Sequence, residues 1–192
     1  MTKTDDTAYL KALLYHYEAE ILGEAYFSAL ADCFDDAAER EKLTLLAAVE
    51  RRAADTVRPL VDKHGLVPRD ETVLKAIGAE LTGPHRHFSW RQFMTHITVE
   101  YPAYLDNFHA LEKMAPEDDL VALQRLTHHE VVLIDFAQRE MANDPDSVPG
   151  VIRSTMCGSA RRVPSKTTAL VQARCRRLNT PVQRHARWLQ RG

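Results

Sequence analysis

The sequence predicts an all-α protein, an antiparallel four-helix bundle made of two helical hairpins joined by a long crossover. Two observations predict this fold. Four long segments are rich in Ala, Leu and Glu, and apolar residues recur within them at alternating spacings of three and four. Short turn signals separate the first segment from the second and the third from the fourth, whereas a longer connection joins the two pairs.

The first hairpin is predicted from residues 9–34 and 36–64. The first segment contains one Gly and no Pro, which favours an uninterrupted helix. The second ends at the KHG sequence, where Gly65 suits the position after a helix C-terminus and Pro68 follows. The FDD sequence marks the turn between the two helices.

The crossover and the second hairpin follow. Residues 71–81 predict a short crossover helix, and the GPH sequence after it breaks the chain. Ser89 is the expected N-cap of a third long helix that runs to Met114, with one interruption at Pro102. The fourth helix starts at Pro116, whose three acidic successors suit the positive end of the helix dipole, and ends near Met141.

The amino-acid composition indicates which class of protein the chain belongs to. At 45% hydrophobic and 27% charged residues, the chain of 192 residues is typical of a folded domain and not of a disordered one. No apolar run approaches the roughly 20 residues that span a bilayer, so no membrane partner is expected. The N-terminus lacks the order of a secretory signal, and three widely spaced cysteines indicate no disulfide framework. We therefore expect a cytoplasmic protein.

The net charge differs in sign between the long N-terminal part of the chain and its C-terminal part. Residues 1–149 carry a net charge of −12, whereas residues 150–192 contain ten Lys or Arg and no acidic residue. We predict a bundle over residues 1–145 and a basic, Arg-rich tail over residues 146–192. The tail is open to three interpretations: contact with nucleic acid phosphates, docking on the acidic body or a partner, or an altered reading frame near residue 150. Because the body alone completes the bundle, we expect a poorly ordered tail and no nucleic acid partner.

Each long helix carries a glutamate near the centre of its apolar stripe. These residues are Glu20, Glu50, Glu100 and Glu130. Each hairpin separates its two glutamates by 30 residues, with the turn halfway between them. Residues equidistant from the turn of an antiparallel hairpin lie at the same height. Each hairpin is therefore expected to bring its two glutamates level.

The two halves also match at an offset of 80 residues. The sequence HYEAE at 16–20 matches HITVE at 96–100, and LLAAVERRAAD at 45–55 matches RLTHHEVVLID at 125–135. This pattern is typical of a duplicated hairpin, which would place the four glutamates around a pseudo-two-fold axis.

Four carboxylates in an apolar bundle require compensation. They take up protons, pair with cations or bind metal, and the stripes contain no Arg. Two divalent cations would balance four negative charges, and oxygen-rich sites suit iron(II) or manganese(II). The pattern therefore predicts a dinuclear carboxylate site.

These residues resemble the ferritin-like superfamily, over roughly residues 8–142. Its di-iron carboxylate members have a glutamate on each of two helices and a Glu-x-x-His pair on each of the other two. By this resemblance Glu20 and Glu100 match the single glutamates, and Glu50 and Glu130 match those of the pairs. The resemblance implies two iron or manganese ions per chain and oxygen-dependent oxidation of a small substrate. It leaves a homodimer open.

The chain departs from that family at both histidines, because Ala53 and Leu133 stand at those positions. His16 and His96 are possible replacements, since each lies one helical turn before a core glutamate. Further candidate ligands are His129 and Glu24, and Tyr17 and Tyr104 are candidates for supporting the ligands.

Two alternatives stay open. Loss of metal binding would leave protonated, mutually hydrogen-bonded acids in a helical bundle that serves as a binding or stress-related interaction module. The spacing of His and Glu at 16–20 and 96–100, with two histidines at 128–129, is also similar to hemerythrin-like metal proteins, although a fuller set of histidines is expected there.

Overall fold

The computed structural model describes residues 3–156, and this part of the chain is helical without any strand. The all-α prediction is therefore confirmed. No helix within these residues is long and apolar enough to cross a membrane. A 3₁₀ turn at Glu117–Asp119 precedes the sixth α-helix, and the α-helices are α1 (Lys3–Ala31), α2 (Ala37–Lys63), α3 (Glu71–Glu80), α4 (Trp90–Glu100), α5 (Pro102–Met114), α6 (Leu120–Met141) and α7 (Ser147–Met156).

The helix ends follow the local sequence. The Asp36 and Asp70 side chains accept backbone N–H bonds at the N-termini of α2 and α3. Ser89 caps α4 in a reciprocal arrangement with Gln92, as its position predicts. Gly65, after the end of α2, has a φ of 62°, a left-handed conformation that glycine adopts without strain. The expected boundaries of α2 and α4 are thus produced by specific hydrogen bonds.

The third predicted helix is divided in two by Pro102. Proline has no backbone N–H and is favoured at the first position of a helix, so α4 ends at Glu100 and α5 begins at Pro102. The burial in α5 differs from the predicted stripe. Phe108 is buried in α5, whereas Asn107, which the continuous stripe would bury, is exposed.

Helices α1 and α6 each pack against several other helices. Helix α1 packs against α2, α3 and α5, and α6 packs against α2, α4, α5 and α7. The core between them contains fully buried large side chains such as Phe27, Leu43, Phe93 and Phe136. Helices α1, α2 and α6 therefore meet in the interior.

Helix α7 lies beyond residue 145, where the sequence places the end of the body. It packs on α6 with Val151 buried. The hydroxyl of Ser147 donates to the Glu140 carboxylate, which also accepts hydrogen bonds from Lys42 and Trp90. The residues of the predicted tail after Met156 lie outside the described residues.

Helix α3 approaches α1 at Gly78, where an added Cβ would lie 2.4 Å from the carbonyl oxygen of Leu22 and 2.9 Å from the Cβ of Ala25. Alanine normally stabilises a helix by about 1 kcal/mol relative to glycine. We predict the opposite for Gly78→Ala, a loss of about 1–3 kcal/mol in urea unfolding, because the backbone of α1 must move. Gly83→Ala is the control, since a Cβ added at Gly83 would lie 3.4 Å from its nearest neighbour, the carbonyl oxygen of Glu80. Equal stability of the two variants would contradict the close approach.

Candidate metal centre

Three helices bring four chemically active side chains together in the interior. They are Glu20 of α1, Glu50 of α2, and His129 and Glu130 of α6, all buried, and we call them the carboxylate cluster. The Nε2 atom of His129 lies 2.9 Å from Glu20 Oε2, 3.7 Å from Glu130 Oε2 and 3.8 Å from Glu50 Oε2. Ligand atoms of Glu20, Glu50 and His129 all lie within 4.8 Å of one another, a spacing that suits a bound cation.

The hydrogen bond at the other ring nitrogen fixes the state of His129. Its Nδ1 contacts the carbonyl oxygen of Leu126, which can only accept a hydrogen bond. Nδ1 therefore carries the proton, and in the neutral ring Nε2 presents a lone pair to the three carboxylates. Metal-binding histidines characteristically donate their second N–H in this way to a backbone carbonyl.

Two carboxylate oxygens of the cluster have no hydrogen-bond partner within the described part of the chain. They are Oε2 of Glu20 and Oε1 of Glu130. Oε2 of Glu20 is close to Nε2 of His129, but without a proton on either atom the two lone pairs repel. Buried polar atoms are nearly always paired. These oxygens therefore require a proton, a water molecule or a cation.

Burial controls the ionisation of the cluster. Removal from water raises the pKa of Glu20 to about 8. It raises the pKa of Glu50 and of Glu130 well above the usual range, and mutual repulsion of the carboxylates adds to the effect while His129 opposes it. Without a cation, the cluster therefore holds protons at neutral pH. A divalent cation would favour the ionised carboxylates in their place.

Gly23 of α1 provides the space for Glu50. An added Cβ at Gly23 would lie 2.5 Å from Glu50 Oε2 and 2.8 Å from its Cδ. The Glu50 carboxylate therefore occupies space that any larger residue would fill.

We predict that Gly23→Ala displaces this carboxylate and weakens manganese(II) binding about tenfold in a calorimetric titration. The control is Ser28→Ala, at an exposed position of α1. A Gly23→Ala protein that is folded and binds manganese(II) as the wild type does would contradict this role of Gly23.

Four predicted ligands lie outside the cluster, of which His16 lies beside it and is described below. Glu100 is partly exposed at the C-terminus of α4. The His96 ring contacts those of His85, 4.3 Å away, and Tyr101, 6.1 Å away. The Glu24 carboxylate pairs with Arg51 and lies 3.7 Å from Lys75 Nζ, in a partly exposed ionic network. The structure thus does not group these three residues with Glu20, Glu50 and Glu130.

The two tyrosines that were predicted to support the ligands, Tyr17 and Tyr104, lie in different surroundings. The Tyr17 hydroxyl accepts a hydrogen bond of 3.0 Å from Arg58. The Tyr104 ring lies 5.4 Å from that of Tyr101. Burial raises the pKa of Tyr104, and the charge of Glu130 contributes. Tyr104 is therefore near the cluster, whereas Tyr17 is engaged by Arg58.

His16 is buried beside the cluster without belonging to it. Its ring lies 4.5 Å from that of Phe108. Burial, together with the charge that a protonated His129 would carry, lowers the pKa of His16 to about 4. His16 therefore stays neutral at neutral pH.

Sequence reasoning missed Gly23, Tyr101 and Phe108. Gly23 was visible as the one glycine of the first segment, three residues after Glu20. The positions of the missing family histidines, Ala53 and Leu133, are buried and apolar. The nitrogen donor comes instead from His129, the residue before Glu130.

Comparisons of the chain with protein-family models, with curated proteins and with solved structures find no match.

The chemistry of the cluster follows from its donors, which are three carboxylates and one imidazole. Carboxylate-rich donor sets suit manganese(II), and imidazole is compatible with iron and zinc. The arrangement can hold a divalent cation out of contact with bulk water.

Proposed function

We propose that the protein is a metalloprotein that binds iron(II) or manganese(II) at the carboxylate cluster. The observation that supports it most is the lone pair of His129 Nε2, which faces three buried carboxylates while Nδ1 is held by Leu126. A cation would compensate the negative charges, the lone pair and the unpartnered oxygens of Glu20 and Glu130 together.

We also propose that α1, α2, the α4–α5 pair and α6 are the four helices of a ferritin-like bundle. The contacts of α1 with α2, and of α6 with α4 and α5, support two hairpins. The meeting of Glu20 with Glu50 supports the equal height that the spacing predicts for the first hairpin.

The activity we propose is oxygen-dependent oxidation of a small substrate. Bound iron would supply the redox chemistry with oxygen. The chain itself supplies a buried site, a fixed imidazole at His129, and three carboxylates, those of Glu20, Glu50 and Glu130. These four side chains would hold the ion.

The predicted number of ions requires more ligands than the cluster supplies. Its compact donor set suits one ion. A second ion, as in a dinuclear site, needs ligands beyond this set.

A metal-free interaction module is the second candidate, and the raised pKa values of the three glutamates favour it because protonated acids can hydrogen-bond to one another. The hemerythrin-like alternative has less support, since the cluster contains one histidine. Metal binding separates the candidates.

The test is thermal unfolding with manganese(II), or with iron(II) under anaerobic conditions. A ligand at 100 times its Kd stabilises the folded state by about 2.7 kcal/mol, and we expect a shift of that order for the wild type. Glu50→Gln should abolish the shift, and Glu24→Gln, at a surface ion pair on the neighbouring helix, should retain it. No shift in the wild type, with only traces of metal in the purified protein, would support the interaction module instead.

A further inference from the structure

His16 is a buried imidazole that the proposed site does not use. It lies on α1, one turn before Glu20, so the two side chains leave the same face of the helix. Only 6% of His16 is exposed, and its ring contacts those of Tyr15 and Phe108. Among the described residues it forms no hydrogen bond that would hold the ring in place. A strong nitrogen donor thus lies beside the cluster.

Phe108 of α5 contacts both histidines. Its ring lies 4.5 Å from that of His16 and 5.4 Å from that of His129, and its side chain is buried. Because interiors are close-packed, the volume that one ring fills is not available to another. Phe108 therefore fills volume beside both rings that the imidazole of His16 could otherwise enter.

We propose that Phe108 determines the metal specificity of the cluster by keeping the imidazole of His16 out of it. This inference rests on the proposed metal site. With His16 excluded, the donors are three carboxylates and one nitrogen. With His16 admitted, a second nitrogen joins them. Imidazole donors favour zinc(II), nickel(II) and copper(II), whereas carboxylate donors suit manganese(II). Phe108 therefore shifts the preference of the site towards manganese(II).

The experiment measures the Kd of manganese(II) and of zinc(II) for purified full-length variants. Phe108→Ala opens the volume, and Phe108→Leu, which keeps an apolar side chain, serves if the alanine variant does not fold. We expect the ratio of the manganese Kd to the zinc Kd to rise about tenfold in either variant. Adding His16→Leu should return the ratio to the wild-type value, because the new nitrogen donor is removed.

Each outcome decides one of the two proposals. A folded Phe108→Leu protein with the wild-type ratio would overturn the role of Phe108. So would a raised ratio that persists after His16→Leu, since the added donor would not be His16. A wild-type protein that binds neither ion would contradict the proposed metal site itself.

Discussion

Raising the pH from 6.5 to 8 is expected to lower the free energy of unfolding of the metal-free protein by roughly 2 kcal/mol. The cause is Glu20, whose pKa rises from 4.5 in the unfolded chain to about 8 in the folded protein. Across this interval the folded state keeps a proton that the unfolded state has released. For each proton that the folded state retains, the free energy of unfolding falls by about 1.4 kcal/mol per pH unit. Glu50 and Glu130 act in the same direction.

The sign depends on the pH window. A carboxyl group with a raised pKa contributes stability below its unfolded pKa and loses it as the pH rises through its folded pKa. His16 and His96 have the opposite effect, because burial lowers the pKa of each from 6.5 to about 4. Their contribution increases with pH and is nearly complete by about pH 7.5, one unit above their pKa in the unfolded chain. Above that pH, the carboxylate cluster dominates the slope.

Two variants isolate the cluster in urea unfolding at pH 6.5, 7.2 and 8. Glu20→Gln should flatten the dependence and stabilise the metal-free protein at pH 8, because no charge has to be buried. Glu24→Gln should leave the slope unchanged, since that carboxylate is partly exposed and paired with Arg51. A wild-type stability that is constant over the window would show that the glutamates are solvated, and the cluster would then be wrong.

Asp119→Ala is expected to lower the free energy of unfolding by about 3 kcal/mol. Asp119 is fully buried and accepts hydrogen bonds from Tyr9, Lys63 and His64 at 2.6–2.7 Å. Burial favours its neutral form, but these hydrogen bonds outweigh burial and hold its pKa below the usual range. The ionised carboxylate thus connects α1, the end of α2 and the start of α6. Its removal leaves three donors without their acceptor.

Asp62→Ala is the matched control for Asp119→Ala. Asp62 pairs with Arg58 four residues earlier on α2, with both side chains more than half exposed. Exposed pairs of this kind contribute well under about 1 kcal/mol. Both variants are compared with the wild type by urea unfolding at pH 7. Similar losses for the two would mean that Asp119 is more solvated than the structure indicates.

Local sequence signals predict many of the helix boundaries. Ser89, Gly65 and Pro102 mark boundaries through hydrogen bonding and backbone conformation, which depend on neighbouring residues alone. The equal spacing of Glu20 and Glu50 about their turn predicts that the two residues meet. Contacts within one hairpin follow from chain geometry, so the sequence is sufficient for them.

The second hairpin could not be predicted in the same way. Extending the apolar stripe through Pro102 places Glu100 and Asn107 in the core, but the structure leaves Glu100 partly exposed and Asn107 exposed and buries Phe108. The internal repeat likewise predicts equivalent places for His16 and His96. His96 packs instead on His85, which comes from the crossover connection and has no counterpart in the first hairpin. Such contacts between distant segments depend on tertiary packing.

The most direct test of the account is a crystal structure of the protein soaked in manganese(II), with anomalous diffraction measured to locate the ion. The proposed metal site predicts a peak within bonding distance of His129 Nε2 and of carboxylate oxygens of Glu20, Glu50 and Glu130. A well-occupied peak elsewhere, or an empty cluster in crystals grown above pH 8, where Glu20 loses its proton, would contradict the proposal.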